Sequence, residues 1–440
     1  MDITQFLEED LVDFASYSTL RAIGSLVDGQ KNASRKVIHT MQKKNITKDI
    51  KVEILSGTVA VETTYLHGPQ NLNAVITGLA KNYCGSNNLP LLKREGNFGT
   101  RFSPSASAPR YIYTYKEDLF DTLFNIEDDA ILINQEFEGS SIEPRFFVPS
   151  LPLILINGSE GIATGFAQKI LPRNIENIKE YISKKLNGES NLPKLTPYYN
   201  NFKGSIIQGE DKNQWKISGQ FIRGNTKAKL TITELPIGYT LTSYTKVLDT
   251  LEDSNVIRGY EDLSENDRFK FEIKIDPKKL EKNSEYILNL LKLTKSVSEN
   301  FTVIDENNRV VVYTSPEEIL DHYIKVKMGY LEKRKAYKLQ ELKYNLTILN
   351  SKYLFIDKIV KGEIEINNKS KVDIVSQLEK VSKIVTNEGS YDYLLKMPIY
   401  TLTEGKIKEI KSKINSVKKD IDTVKISQTA TIWEEELAKF

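Results

Sequence analysis

The stretch Leu339–Val360 reads LQELKYNLTILNSKYLFIDKIV, and its apolar residues step by three and four. Leu339, Leu342, Leu346, Leu349, Tyr353, Ile356 and Val360 share one stripe, with charged and polar residues around them. A second stripe follows at Ile407, Ile410, Ile414, Val417, Ile421 and Val424. Such spacing is a heptad seam, which buries itself against another helix. A globular segment lies between the two seams. Together they predict an antiparallel coiled-coil arm with a cap at its tip, although an ordinary helical bundle carries the same periodicity.

Outward from this arm, residues 200–315 alternate apolar and polar in KGSIIQG, QWKISGQFI, KLTITELP, RFKFEIKI, NFTVI and RVVVYT. Alternation at period two predicts strands, and the helical piece YILNLLKL makes this an α+β domain. FVPSLPLILIN (147–157) predicts a buried strand ending in a glycine-rich turn. Nearer the start, VEILSGTVAVETTYLHG and NLNAVITGLAKNYCG have helical spacing, and RYIYT (110–114) reads as a strand. Short helices followed by strands suggest a winged helix. The expected fold class is multidomain α+β: an N-terminal helical arm (1–24), a winged-helix domain (25–150), a mixed α/β domain (151–315), and a long antiparallel coiled coil with a cap at its tip (316–440).

The chain has 440 residues, enough for about three domains, and its 40% hydrophobic content suffices for real cores. One cysteine, Cys84, excludes an internal disulfide and a cysteine zinc cage. Three histidines make a histidine metal site a poor prospect. The acidic opening MDITQFLEEDLVD is unlike a signal peptide, and no apolar run is long enough to span a membrane. A cytoplasmic protein is expected. The net charge of +2 hides an uneven distribution. Residues 21–111 hold thirteen bases against five acids, whereas 112–150 hold two bases against nine acids. A basic block between acidic flanks suits a polyanion, and it also suits a solvated lysine surface.

No phosphate-binding P-loop is present: GSLVDGQKN from Gly24 interrupts Gly-Lys with glutamine and places Asn32 where Ser or Thr is needed. ATP hydrolysis by the chain alone is therefore not expected. Asp420 and Asp422 form a DxD pair, but they bracket the seam residue Ile421 and read as a solvated helix face. The segment GNFGTRFSPSASAPRYIYT (96–114) differs, because small residues without periodicity end in Arg-Tyr. A tyrosine phenol attacks phosphorus as it loses its proton. A neighbouring guanidinium stabilises both the phenolate and the pentacovalent phosphate. Arg110 and Tyr111 are placed in sequence for that chemistry, but with 22 tyrosines in the chain, adjacency alone does not select one.

PRYIYT resembles the active-site motif of type IIA DNA topoisomerases, chiefly their eukaryotic and large-phage branch. VDGQKNASRKV (27–37), YLHG (65–68), GSNNLPLL (85–92) with GNFGTR, LPLILINGSEGIATG (151–165), YLLKMPIYTLT (393–403) and WEEELAKF (433–440) resemble further family segments in the same order. The length and acidic start look most like the medium subunit of a large-bacteriophage enzyme, which would work in the host cytoplasm.

The resemblance implies the DNA-cleaving and religating subunit of an ATP-dependent type II topoisomerase. Such an enzyme makes a transient staggered double-strand break through 5′-phosphotyrosyl links, passes a second duplex and reseals. It implies Tyr111 as nucleophile, Arg110 as its transition-state partner and His67 near the scissile phosphate. Arg21, Lys31, Arg35 and Lys36 would hold the duplex backbone, and Ile162 would wedge between base pairs. The family's magnesium site and ATPase are not read in this chain. The resemblance further implies that 151–315 is the family's α/β tower domain and that the coiled coil of 316–440 ends in a dimerisation gate. It implies Mg²⁺ and ATP held by an ATPase–TOPRIM partner, a homodimer through that gate, and relaxation and decatenation rather than supercoiling. A catalytically inactive DNA-binding clamp of the same fold is the alternative. The chain departs from the family at Gly24 and Asn32, both prolines there. Leu66 replaces the first histidine of the Y-H-H-G motif, and Pro69 replaces an acid.

Overall fold

The computed structural model describes residues 3, 6–224, 226 and 228–440. Of the expected N-terminal arm, residues 1, 2, 4 and 5 lie outside the described residues. The chain forms two compact units, one of residues 1–327 with 436–440, the other of residues 328–435. The expected boundary between 25–150 and 151–315 falls inside the first.

The first unit opens with helix α1 (Leu11–Ala22), α2 (Asn32–Lys43), α3 (Val52–Thr63) and α4 (Pro69–Ala80). Pro69 stands at the first position of α4, where a missing N–H costs nothing. The departure from the family there is a normal helix start. The three helices α2–α4 pack around Val37, Ile38, Met41, Leu55, Val59, Leu72 and Ile76, all fully buried. Strands β1 (Ile50–Lys51), β2 (Leu92–Glu95) and β3 (Tyr113–Lys116) form a small antiparallel sheet with β3 in the middle. A hairpin of β4 (Asn134–Phe137) and β5 (Ser140–Pro144) follows.

One expected strand is corrected. Leu153–Ile156 is a short helix, α5, with all four side chains buried. Pro152 accepts amide bonds from Leu155 and Ile156, starting a helical turn. A proline has no N–H for a central strand's ladder, and a run of four apolar residues has no period to separate strand from helix. The strand comes next, as the hairpin β6 (Ser159–Ala163) and β7 (Phe166–Ile170), before helix α6 (Ile175–Leu186).

The alternating region forms strands where expected. Strand β9 (Gln214–Ser218) pairs with β8 (Ser205–Gln208) on one side and with β14 (Thr294–Ser298) on the other. Strands β10 (Gln220–Arg223), β11 (Lys229–Glu234), β12 (Gly259–Asp262) and β13 (Phe271–Lys274) form a four-stranded sheet ordered β10-β11-β13-β12. Helix α7 (Leu241–Asp253) covers it. Leu230, Ile232, Phe271 and Ile273 from the sheet meet Tyr244 and Leu248 from the helix in one core. Strands β15 (Phe301–Ile304) and β16 (Val310–Tyr313) close this part.

Helix α8 (Pro316–Val360) is 45 residues long. In the second unit, α9 (Lys371–Glu379) precedes α10 (Glu404–Ile426), and α11 (Thr429–Leu437) begins there and ends in the first. Leu346, Leu349, Tyr353 and Ile356 of α8 share a core with Ile407, Ile410 and Ile414 of α10. Lys335 Nζ donates to the Ser427 carbonyl at 2.7 Å, so early α8 meets late α10 and the helices run in opposite directions. Asp420 and Asp422 are exposed, as a solvated helix face requires. Among the described residues no helix is long and apolar enough to cross a membrane.

Inside the first unit a buried ion pair locks β7's end to the β14–β15 turn. Arg173 donates to Glu299 at 2.7 and 2.9 Å, and Trp215 Nε1 adds a third bond at 2.8 Å. Both charged side chains are about 1% exposed. Removing one partner of such a pair leaves a stranded charge and costs about 3–5 kcal/mol. Glu299→Ala is therefore expected to lower the thermal unfolding midpoint of the full chain by several degrees, read by calorimetry. An unchanged midpoint would contradict this account.

Candidate active site

Arg110 and Tyr111 sit in the turn just before β3, one step earlier than a strand reading of RYIYT places them. The Tyr111 amide donates to the Ala108 carbonyl at 2.9 Å, closing the turn. The amide of Val52, at the start of α3, donates to the Ile112 carbonyl at 3.0 Å. Ile112 is buried beside Gly96, whose φ of +101° a side chain would strain. The turn is thus held on both flanks while Tyr111 itself is 65% exposed. The Arg110 guanidinium lies over its ring, 4.8 Å from the centroid. The preceding loop is held just as firmly. Arg101, buried, donates to Glu234 at 2.5 Å and to the Leu235 carbonyl, and Lys81 Nζ donates to the Pro104 carbonyl at 2.8 Å.

A second set of polar groups lines a cleft of about 320 Å³ between α1, the start of α2 and the α3–α4 loop. The structure brings Arg21, Lys31 and His67 together there, with Tyr17, Tyr65 and Asn71. Lys31 Nζ donates to the Glu160 carbonyl at 2.7 Å. Burial pushes its ammonium below the ordinary lysine value, with Glu160 opposing in part. His67 Nε2 is 2.8 Å from the Tyr17 hydroxyl, and its ring meets Tyr65 edge-on at 5.5 Å. Arg110 and Tyr111 are not among the residues lining this cleft.

Two expected DNA-holding residues are placed elsewhere. Arg35 is buried, with Nε 2.8 Å and Nη2 3.1 Å from the two Asp28 oxygens, and it also donates to Gln30 O and Asn32 Oδ1. Lys36 pairs with Glu143 at 2.8 Å and donates to the Thr63 carbonyl. Both charges are neutralised inside the fold. Their placement here is that of framework residues, each held by an internal carboxylate. Asn32, a departure from the family, supplies one of Arg35's acceptors.

Ile162 is 82% exposed on β6, so it is not the core isoleucine that its apolar character suggests. Its hairpin is rigidly seated. Gln168 accepts from the Gly24 amide at 2.9 Å and donates to the Thr302 carbonyl at 2.7 Å. Gly161 approaches α1 so closely that a Cβ would meet the Ala22 carbonyl oxygen at 2.1 Å. At Gly24 a proline would lose the amide bond to Gln168, and any Cβ would meet Ser159 Oγ at 2.7 Å.

A model of the DNA gyrase/topoisomerase IV family, in its A-type subunit, matches residues 21–438. The chain belongs to this family. It is similar to the mitochondrial DNA topoisomerase 2 of Dictyostelium discoideum, at 34% identity over 98% of this chain and 34% of that protein. The DNA topoisomerase 2 of Invertebrate iridescent virus 6 is 32% identical over 98% of this chain and 38% of its own length. Among solved structures, the DNA-binding, cleavage and re-ligation domain of Plasmodium falciparum topoisomerase II matches with a TM-score of 0.89 and 31% identity, covering 99% of this chain and 63% of that one. The chain spans about a third of the length of the curated relatives it matches.

Within this family member, sequence reasoning missed Tyr17, Tyr65 and Asn71. No motif marks Tyr17, which is one of 22 tyrosines and lies on an exposed helix face. Tyr65 and Asn71 flank the histidine motif, so their nearness in sequence was the available signal. The donor set does not suit a resident magnesium ion. Among the described residues no three His, Cys, Asp or Glu side chains gather as a cation site. The charged group held at Tyr111 is a guanidinium, which repels Mg²⁺ rather than binding it.

Because Arg35 answers the fully buried Asp28, Arg35→Ala should cost stability before anything else. A loss of about 3–5 kcal/mol is expected from the stranded carboxylate, measured by thermal or denaturant unfolding. A variant as stable as the parent would return Arg35 to the set of surface contacts.

Proposed function

We propose that the chain is the DNA breakage-reunion subunit of a type II topoisomerase, with Tyr111 as nucleophile. The observation that carries this is the exposed Tyr111 phenol under the Arg110 guanidinium, on a turn fixed at both ends. In the proposed reaction the Tyr111 oxygen attacks a backbone phosphorus and gives up its proton to solvent. A bond forms between that oxygen and the 5′ phosphate, the bond from phosphorus to the 3′ oxygen breaks, and the 3′ oxygen takes a proton. Religation is the reverse, so bond energy is conserved. Arg110 carries a fixed positive charge to where negative charge grows.

Arg21 and Lys31 are the proposed backbone contacts, and His67 lies in the same cleft as a further donor. Ile162, exposed on a rigid hairpin, is the proposed wedge that unstacks a base step and bends the duplex. In this reading residues 25–150 act as the winged-helix cleavage domain and 151–315 as the tower. The paired helices of 316–440 end in a gate through which two copies dimerise. An ATPase–TOPRIM partner supplies ATP hydrolysis and Mg²⁺, whose chemistry is stabilisation of the leaving 3′ oxygen. The complex relaxes and decatenates DNA.

Covalent trapping tests the nucleophile. The reconstituted complex with Mg²⁺ and supercoiled plasmid, quenched with detergent, is expected to leave protein on 5′ ends through Tyr111. Tyr111→Phe should abolish the adduct and spare DNA binding. Binding without any adduct from the parent chain would establish the inactive clamp instead. A second measurement addresses the cleft. Arg21→Ala should weaken binding to all duplexes alike and lower the slope of log K against log salt by about one. An unaltered slope would remove Arg21 from the contact surface.

A further inference from the structure

His67 lies on an exposed loop between α3 and α4. The structure fixes it from two sides. Tyr65 meets the ring edge-on, and Asn71 donates to the Tyr65 hydroxyl, holding that neighbour in turn. The Tyr17 hydroxyl, reaching from helix α1 fifty residues away, takes Nε2 at 2.8 Å. Arg21, one turn further along α1, lines the same cleft. One helix face therefore delivers both a cation and a hydroxyl to it.

The chemistry of imidazole makes that hydroxyl consequential. A free neutral histidine prefers its proton on Nε2, leaving Nδ1 as an acceptor. A phosphodiester has no proton to give, so an acceptor facing it is useless and repulsive. A phenol donates more readily than it accepts. When Tyr17 donates to Nε2, the ring's proton must sit on Nδ1, and protonation of the ring also leaves Nδ1–H in place. We propose that Tyr17 of helix α1 is a positioning residue that holds His67 as an Nδ1–H donor for a backbone phosphate of the bound duplex. This rests on the cleavage reading above for its substrate, and gives helix α1 a second part beside the Arg21 contact. Tyr17 touches no reacting atom in this scheme and acts through His67 alone.

Two measurements decide it. The first is nitrogen NMR of the full chain labelled at its three histidines, at a pH where the imidazole is neutral, with His67→Ala to assign the signal. The parent is expected to show His67 protonated on Nδ1, and Tyr17→Phe to move the proton to Nε2. A parent His67 already in the Nε2–H form, or a signal that ignores Tyr17→Phe, overturns the proposal. The second is single-turnover DNA cleavage by the reconstituted complex. Tyr17→Phe is expected to slow cleavage about tenfold with DNA affinity nearly unchanged. In a His67→Ala background the same change should have less than about a twofold effect. An equal loss in both backgrounds would mean that Tyr17 only supports α1, and the proposal fails. If the parent complex makes no adduct at all, the cleavage reading fails, while the nitrogen spectrum still decides what Tyr17 does to His67.

Discussion

The carboxylate of Asp28 is fully buried, and the region around it is arranged to answer that charge. It accepts from the Gln30 amide at 2.9 Å, from the Phe147 amide at 3.0 Å and from two nitrogens of Arg35. Taking a carboxylate out of water costs several kcal/mol, which is tolerable only with such a set of donors. The consequence is geometric. The α1–α2 connection, the first turn of α2 and the segment at Phe147 are held to one point. Gly29 tightens the same turn, with φ of +66° and no room for a Cβ against Ile154. Lys31, three residues on from Asp28, is thereby set at the mouth of the cleft, while Arg35 is drawn inward.

This division explains why charge counting misleads here. Residues 21–111 carry a strong positive excess, yet two of its most suggestive bases, Arg35 and Lys36, serve internal carboxylates. Their partners Asp28 and Glu143 are 7 and 107 residues away, and the second distance is invisible to any local pattern. The heptad seams and the alternating strands were legible because period and burial coincide along one element. Leu153–Ile156 was not, because four consecutive buried residues satisfy strand and helix alike until Pro152 decides. Tyr17 was not, because its significance lies in a bond to a loop fifty residues on.

Exposure, rather than burial, marks the candidate site. Tyr111 and Ile162 are large side chains left in solvent on backbones that are otherwise locked. Leaving an isoleucine exposed forgoes burial worth roughly 2 kcal/mol. The hairpin beneath it is nevertheless pinned by Gln168 to two other segments and lies against α1 through Gly161. A flexible loop would hide such a residue by collapsing onto its own base. The pinned backbone is what prevents that, and it keeps the side chain presented to solvent.

The same reasoning links the two halves of the site. The exposed isoleucine, the arginine at the end of α1 and the lysine ahead of α2 depend on one small junction. Gly24 gives its amide to Gln168, Gly161 touches Ala22, and Lys31 reaches the carbonyl of Glu160. A side chain at Gly24 would push Ser159 and Gln168 away and shift the hairpin relative to α1. The glycine that replaces the family's proline is thus tied to Gln168, which bridges its amide to the hairpin. A side chain at Gly24 or the loss of Gln168 would therefore disturb the seat of Ile162 and the placement of Lys31 together.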